Sequence, residues 1–150
     1  MRILLIGPQG SGKSTQAKLL AEYLIVPTIS TGDIFRKLMQ EDTDIGRKLK
    51  DILNEGQLVD DQTTCEIIKE RLRQSDCRQG FVLDGYPRTV EQMKIFDPKF
   101  DKVFYLKVAD EEVIRRLQGR GRIDDSPEAI KTRLKLYYEH TVPLLDYYKD

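Results

Sequence analysis

Gly7-Pro8-Gln9-Gly10-Ser11-Gly12-Lys13-Ser14 sets two glycines five residues apart, followed at once by a lysine and a hydroxyl. That spacing suits phosphate. Glycines allow backbone conformations that a side chain would block, so successive N–H groups can turn toward phosphate oxygens. Lys13 adds a point charge for the terminal phosphates, and a hydroxyl at Ser14 or Thr15 can join Mg²⁺. Phe81-Val82-Leu83-Asp84 ends an apolar run on a carboxylate, which can hold Mg²⁺ through water. Taken alone, Asp84 reads better as a helix or turn cap before Gly85; paired with the glycine-rich loop, the Mg²⁺ reading is favoured. Arg115, Arg116, Arg120 and Arg122 then crowd one stretch, with Arg133 beyond. Arginine offers a planar, permanently charged fork suited to phosphate. The chemistry implied is the binding of a nucleoside triphosphate, with the acceptor left unnamed.

The elements that must position these groups are set by periodicity. Ile3–Ile6 is a continuous apolar run, as expected of a strand buried on both faces of a parallel sheet. Lys13–Leu24 carries Ala17, Leu20, Ala21 and Leu24 at helical spacing, so the phosphate loop lies between a buried strand and a helix N-terminus, where positive potential gathers. Val26–Ile29 reads as a short strand, and Ser30 as an N-cap with Asp33 three residues on. Ile45, Leu49, Ile52 and Leu53 mark a helix ending near Gly56, and Asp60 or Asp61 caps the next, which turns Cys65, Ile68 and Leu72 inward. Phe81–Leu83 and Val103–Leu106 read as further buried strands. Asp110 is expected to cap a helix bearing Val113, Ile114 and Leu117. Ser126-Pro127 reads as N-cap plus first helical residue. The stripe Ile130, Leu134, Tyr137, Thr141, Leu144, Tyr148 predicts one face of a long helix, kinked at Pro143. Strands alternating with helices imply a parallel sheet covered on both faces.

Composition narrows the function classes. The chain has 150 residues, one domain's worth, with 25 Lys+Arg against 25 Asp+Glu, which argues against a general nucleic-acid binder. No apolar run reaches the ~20 residues of a membrane span, and no signal peptide is read at MRILLIGPQG. Two lone cysteines, Cys65 and Cys77, suit a reducing cytoplasm, and with His140 the single histidine a Cys/His zinc site is not expected. Asn54 is the single asparagine and no lysine follows it, so the guanine-reading motif of GTPases is absent.

Ser30-Thr31-Gly32-Asp33-Ile34-Phe35-Arg36, Asp84-Gly85-Tyr86-Pro87-Arg88-Thr89 and Arg122-Ile123-Asp124-Asp125 come after the glycine-rich loop in that order. Together they resemble the adenylate kinases, within the nucleoside monophosphate kinases, from Met1 to about Tyr148. The resemblance implies an α/β fold: a P-loop three-layer α/β/α with a central parallel sheet, a helical AMP-binding insert and a short lid. It implies one kinase domain over 1–150, with core at 1–29, 60–118 and 126–150, insert at 30–59 and lid at 119–125. The implied reaction is reversible, Mg²⁺-dependent phosphoryl transfer from ATP to AMP, giving two ADP.

Carried over by motif, ATP would meet Gly10, Ser11, Gly12, Lys13, Ser14, Thr15, Arg116 and Arg120. AMP would meet Thr31, Arg36, Gln57, Leu58, Val59, Gly85, Arg88, Gln92, Arg122 and Arg133, with Arg36 and Arg88 on its phosphate and Thr31 and Gln92 on the adenine side. Lys13, Arg88, Arg120, Arg122 and Arg133 would surround the transferring group as the catalytic set. Mg²⁺ would sit at Thr15 and Asp84, partly through water, with Ser14 the alternative. The acceptor is already an anion, so no general base is needed; alignment and charge neutralisation suffice.

Competing readings stand beside these. Arg115 suits a solvated helix face paired with Glu111 and Glu112. Thr89-x-x-Gln92 is also a capping box. Asp124 and Asp125 suit the orienting of lid arginines.

The chain departs from the family in three places. Ser14 replaces the family's glycine after the lysine. One residue, Gly121, separates Arg120 from Arg122, leaving no room for the longer, zinc-capable lid. The strand and helix that succeed the long helix in the family are not expected here, so Val103–Leu106 would be an open sheet edge. The implied partners are ATP and AMP, with no nucleic acid and no membrane. The expected state is a cytoplasmic monomer, self-associating if that edge is uncovered. Two alternatives remain at this point: a kinase of UMP, CMP or GMP, and a nucleotide-binding module with weak catalysis.

Overall fold

The computed structural model describes residues 1–149. The chain runs β1 (Arg2–Ile6), α1 (Lys13–Leu24), β2 (Thr28–Ser30), α2 (Thr31–Met39), α3 (Asp44–Asn54), α4 (Asp61–Leu72), β3 (Phe81–Asp84), α5 (Val90–Ile95), β4 (Lys102–Tyr105), α6 (Asp110–Arg120) and α7 (Pro127–Leu136). The four strands form one parallel sheet in the order β2-β3-β1-β4. Leu5 lies opposite Asp84 in the register, so the carboxylate ends its strand beside the start of the glycine-rich loop. The crossover from β1 leads one way along the sheet and that from β3 the other. The crevice at their carboxyl ends is therefore the place where such sheets bind ligands.

Residue type explains the layers. Ile3, Leu5 and Val82 pack one face against Ala17 and Ala21, whose small side chains let α1 sit close. Ile29, Phe81 and Leu83 pack the other face against Cys65 and Ile68 of α4 and the ring of Tyr86. Val113 and Leu117 of α6 meet Ile130 of α7, and Phe35, Leu49 and Val59 make a separate core for α2 and α3. Each such fully buried aliphatic side chain contributes about 1.5–3 kcal/mol.

Ser30, Thr43, Asp60, Thr89 and Ser126 each accept the N–H of the residue three further on, so five helices begin on a side-chain cap.

Four expectations need correction. The second strand is Thr28–Ser30 rather than Val26–Ile29, because Pro27 precedes the pairing and Val26 closes α1 by donating its N–H to Ala21. The fourth is Lys102–Tyr105, one residue earlier than its apolar run. Asp110 is the first residue of α6, not its cap; Ala109 holds the cap position, and the Asp110 carboxylate accepts from the Tyr138 hydroxyl. The long C-terminal helix is not continuous. It widens into a π-turn at Tyr137–Thr141 and tightens to 3-10 geometry over Val142–Tyr148, with Val142 N–H reaching back to Tyr137. The turn precedes Pro143, which has no N–H to give an α-helical ladder and a ring that would crowd the carbonyl four residues back.

Among the described residues strand β4 pairs only with β1 and is a sheet edge, and its Phe104 and Tyr105 are 47% and 44% exposed.

Candidate active site

The glycine-rich loop is shaped by steric necessity at two points. A Cβ on Gly7 would lie 2.7 Å from the Leu106 carbonyl, and Gly12 opens α1 at φ 93°, where a side chain strains the backbone. Lys13 curls back across the loop, donating to the carbonyls of Gly7 (2.8 Å) and Pro8 (2.9 Å). Burial lowers its ammonium from 10.5 to about 8; Arg88 and Arg120 push the same way, and Asp84 opposes them. Lys13 is therefore a cation short of counter-charge, the condition in which an arriving phosphate gains most. Ser14 Oγ donates to Asp84 Oδ2 at 2.6 Å, bringing hydroxyl and carboxylate together from 70 residues apart.

Lys13, Ser14, Thr15, Asp84, Arg36, Arg88, Arg116, Arg120 and Arg122 line one cleft of about 300 Å³. A smaller cavity of about 50 Å³ continues behind Lys13, between Gly56, Leu58, Gly85, Arg88, Arg133, Tyr137 and Thr141. Burial pushes the Arg88 and Arg122 guanidiniums down, and other cations add to it: Arg133 and Arg36 for Arg88, Arg36 and Arg120 for Arg122. Such crowding of like charge costs stability in the free protein and is relieved by a polyanion.

Part of the cluster is held by acids. Asp125, its side chain 1% exposed, bridges Arg120 (2.6 Å) and Arg133 (2.9 Å), and Asp124 takes the other arm of Arg133 at 2.7 Å. Burial would raise the Asp125 carboxyl, but hydrogen bonds from Arg120 and Arg133 outweigh it and hold it below the usual carboxylate range. The two aspartates thus orient Arg120 of α6 and Arg133 of α7. Arg115 pairs with Glu112 on the surface. Arg116 shares that carboxylate and also reaches the Gly10 carbonyl at 3.3 Å. Arg122 makes no ion pair among the described residues.

On the other side of the crevice, Gly85 turns at φ 90°, and a Cβ there would meet Thr31 Cβ at 3.3 Å and an Arg88 terminal nitrogen at 3.4 Å. Residues from two distant motifs therefore share one wall. Thr31 Oγ1 is buried with no hydrogen-bond partner. Arg36 is engaged by Asp33 at 2.5 Å and faces the cleft. Gln92 is 1% exposed; its N–H goes to the Thr89 hydroxyl, and its side-chain oxygen accepts the Arg88 N–H at 2.7 Å. The cap is present, but the return bond lands one residue before the cap, on an arginine of the site. Gln57 is exposed and Val59 buried with Phe35 and Leu49, while Leu58 lines the inner cavity. Ser11 is buried and faces the groove between α1 and β4 rather than the arginine cleft.

Two lining residues are not marked by sequence reasoning. Gln9 occupies a variable position of the loop motif, where only its placement beside the cleft distinguishes it. Thr141 falls within an apolar stripe; its hydroxyl in that stripe is the available signal.

A parallel sheet with a glycine-rich loop at its crevice, facing a wall of arginines, defines a P-loop phosphotransferase that handles more than one phosphate-bearing group. The adenylate kinase family profile matches residues 5–150. An adenylate kinase of Mycolicibacterium smegmatis is 45% identical over 100% of this chain and 87% of its own length. Adenylate kinases of Mycobacterium ulcerans (46%) and Corynebacterium urealyticum (42%) match over 99% of this chain and 86% of theirs. The chain belongs to the adenylate kinase family, enzymes that move a phosphoryl group reversibly between ATP and AMP.

Proposed function

We propose that the arginine-lined cleft binds ATP and AMP end to end and aligns them for direct transfer. An AMP phosphate oxygen forms a bond to the γ-phosphorus of ATP. The bond from that phosphorus to the β–γ bridging oxygen breaks, and its electron pair stays on the departing ADP. The observation that carries this is the convergence of Lys13, Asp84, Arg36, Arg88, Arg120 and Arg122 on one cleft. Lys13, with the loop of Gly10, Ser11 and Gly12, neutralises the ATP phosphates, and Arg116 and Arg120 flank them. Arg36 and Arg88 hold the AMP phosphate, and Arg122 and Arg133 close on the transferring group from the lid side. Thr31, with its unpartnered buried hydroxyl, faces adenine, as do Gln92, Gly85 and the Gln57–Val59 backbone. Preorganised cations around a transferring phosphoryl group supply most of such catalysis.

Mg²⁺ fits the oxygen donors here. Ser14 Oγ and an Asp84 oxygen lie 2.6 Å apart, and Thr15 lines the same cleft; hydroxyl and carboxylate oxygens are the hard ligands this ion takes. Among the described residues no three His, Cys, Asp or Glu side chains gather into a site of their own, which suits an ion that arrives on the nucleotide. Thr15 would hold it with Asp84, partly through water, with Ser14 the alternative, and the chemistry it would supply is neutralisation of the triphosphate charge.

The domain reading is one kinase unit with a mobile insert at 30–59 and a lid at 119–125. Zero net charge supports small-molecule rather than nucleic-acid partners. Among the described residues no helix is long and apolar enough to cross a membrane. Two unpaired thiols support a cytoplasmic location. The chain is read as a monomer, with the β4 edge as the surface on which copies would meet at high concentration.

Incubation with ATP, Mg²⁺ and each nucleoside monophosphate tests the acceptor. ADP should form fastest with AMP, and a faster rate with UMP overturns the assignment. Binding of ATP and AMP without ADP formation would reduce the chain to a nucleotide-binding module.

A further inference from the structure

Arg88 is fixed at three points. Its Nε donates to the Gly85 carbonyl at 3.0 Å, and its N–H goes to Gln92. Its own carbonyl accepts the Thr141 hydroxyl at 2.8 Å, a bond between residues 53 apart. Thr141 is 9% exposed, and it ends the π-turn that interrupts the C-terminal helix. A π-turn adds a residue to one turn and so rotates the side chains beyond it about the helix axis. Here it directs a polar side chain of an otherwise apolar stripe onto the arginine loop rather than into the hydrophobic core. An isolated hydroxyl gains nothing from burial unless it is bonded, and the Arg88 carbonyl is the partner it takes.

We propose that Thr141 is a positioning residue for Arg88: its hydroxyl sets the loop that aims the guanidinium into the cleft, making the C-terminal helix part of the acceptor site. The proposal rests on the reading of Arg88 as the grip on the AMP phosphate. Two of the three fixing bonds, from Thr141 and Gln92, act on the backbone, so the effect is on where the arginine points and not on its charge.

Steady-state kinetics on Thr141→Val and Thr141→Ser test it. Valine keeps the volume and loses the donor; serine keeps the donor and loses a methyl. Loss of one such hydrogen bond is expected to raise the KM for AMP about three- to tenfold in the valine variant. The KM for ATP should stay within about twofold, and serine should restore the KM for AMP. In an Arg88→Ala background, Thr141→Val should add nothing. Four results overturn the proposal: an unchanged KM for AMP in the valine variant, equal changes for both nucleotides, a serine variant as poor as valine, or a full extra effect on top of Arg88→Ala. If Arg88→Ala itself leaves the KM for AMP and the rate unchanged, the assignment of Arg88 falls instead, independently of Thr141.

Discussion

Lys13 shows how one residue's chemistry is set by its surroundings. Its ordinary charge is secure at neutral pH, but burial and two arginines bring its titration down to about 8 in the free protein. Bound phosphate must favour the charged form and raise that value again. The terminal phosphate, with a last pKa of about 6, is already ionised in this range. ATP affinity is therefore expected to be level up to pH 8 and to fall above it, by up to tenfold per pH unit, with a proton taken up on binding. Calorimetry in two buffers of different ionisation heat measures that proton. Equal affinity at pH 7.0 and 9.5 would remove Lys13 as a phosphate partner. Lys13→Ala should lower the transfer rate by at least about 10²-fold, the range for a lost electrostatic stabiliser; near-normal turnover would refute its role. Most polar residues that line the candidate cleft were legible at this scale. Glycine, lysine and hydroxyl at fixed offsets describe a loop whose geometry is local, and arginines within one or two residues of each other announce an anion. Gln92 illustrates what was not. Its capping spacing is visible, but its use of the Arg88 N–H rather than the cap's own depends on how the Asp84–Thr89 loop turns.

At the scale of elements, contact between pieces matters more than their propensity. Gly56 follows α3 at φ 75° with the backbone of α7 against it, and a Cβ there would lie 2.5 Å from the Ala129 carbonyl. The same seam carries the bond from Arg133 to the Leu53 carbonyl at 3.5 Å. Gly56→Ala should cost about 1–3 kcal/mol through overpacking and a strained φ, read as a lower urea midpoint at unchanged slope; wild-type stability would mean that the insert does not rest on α7 in solution. Helix starts were legible because an N-cap is a three-residue interaction, as at Ser30, Asp60 and Ser126. The break in the last helix was legible only as a proline effect. Its form, a π-turn upstream of Pro143, was not; along the broken helix Tyr137, Thr141 and Leu144 are all buried.

For the molecule as a whole, the crowding of Arg36, Arg88, Arg116, Arg120 and Arg122 around one cleft predicts closure when two nucleotides arrive. A ligand joining ATP to AMP should slow amide exchange in residues 30–59 and 119–125 relative to either nucleotide alone, as lid closure requires. Unchanged exchange there would sink the closure mechanism while leaving binding intact. Gly121 is the left-handed C-cap of α6, and as the hinge of the proposed short lid it would keep this event local.

The amino-acid order by itself determined the phosphate loop, the strand–helix alternation, most helix caps and the family. All of these depend on neighbours within a few residues, or on motifs whose chemistry is carried by residue type. The tertiary structure alone decided which distant groups meet. Ser14 reaches Asp84 only because β1 and β3 pair in a register that sets Leu5 opposite that carboxylate. Asp125 can hold both Arg120 and Arg133 only because α6 and α7 pack on Val113, Leu117 and Ile130. Thr141 finds Arg88 only through a helix turn that no local signal specifies. Each of these contacts is the product of a register or a crossing between elements, and those are set by the collective packing of a core, which no short window of sequence contains.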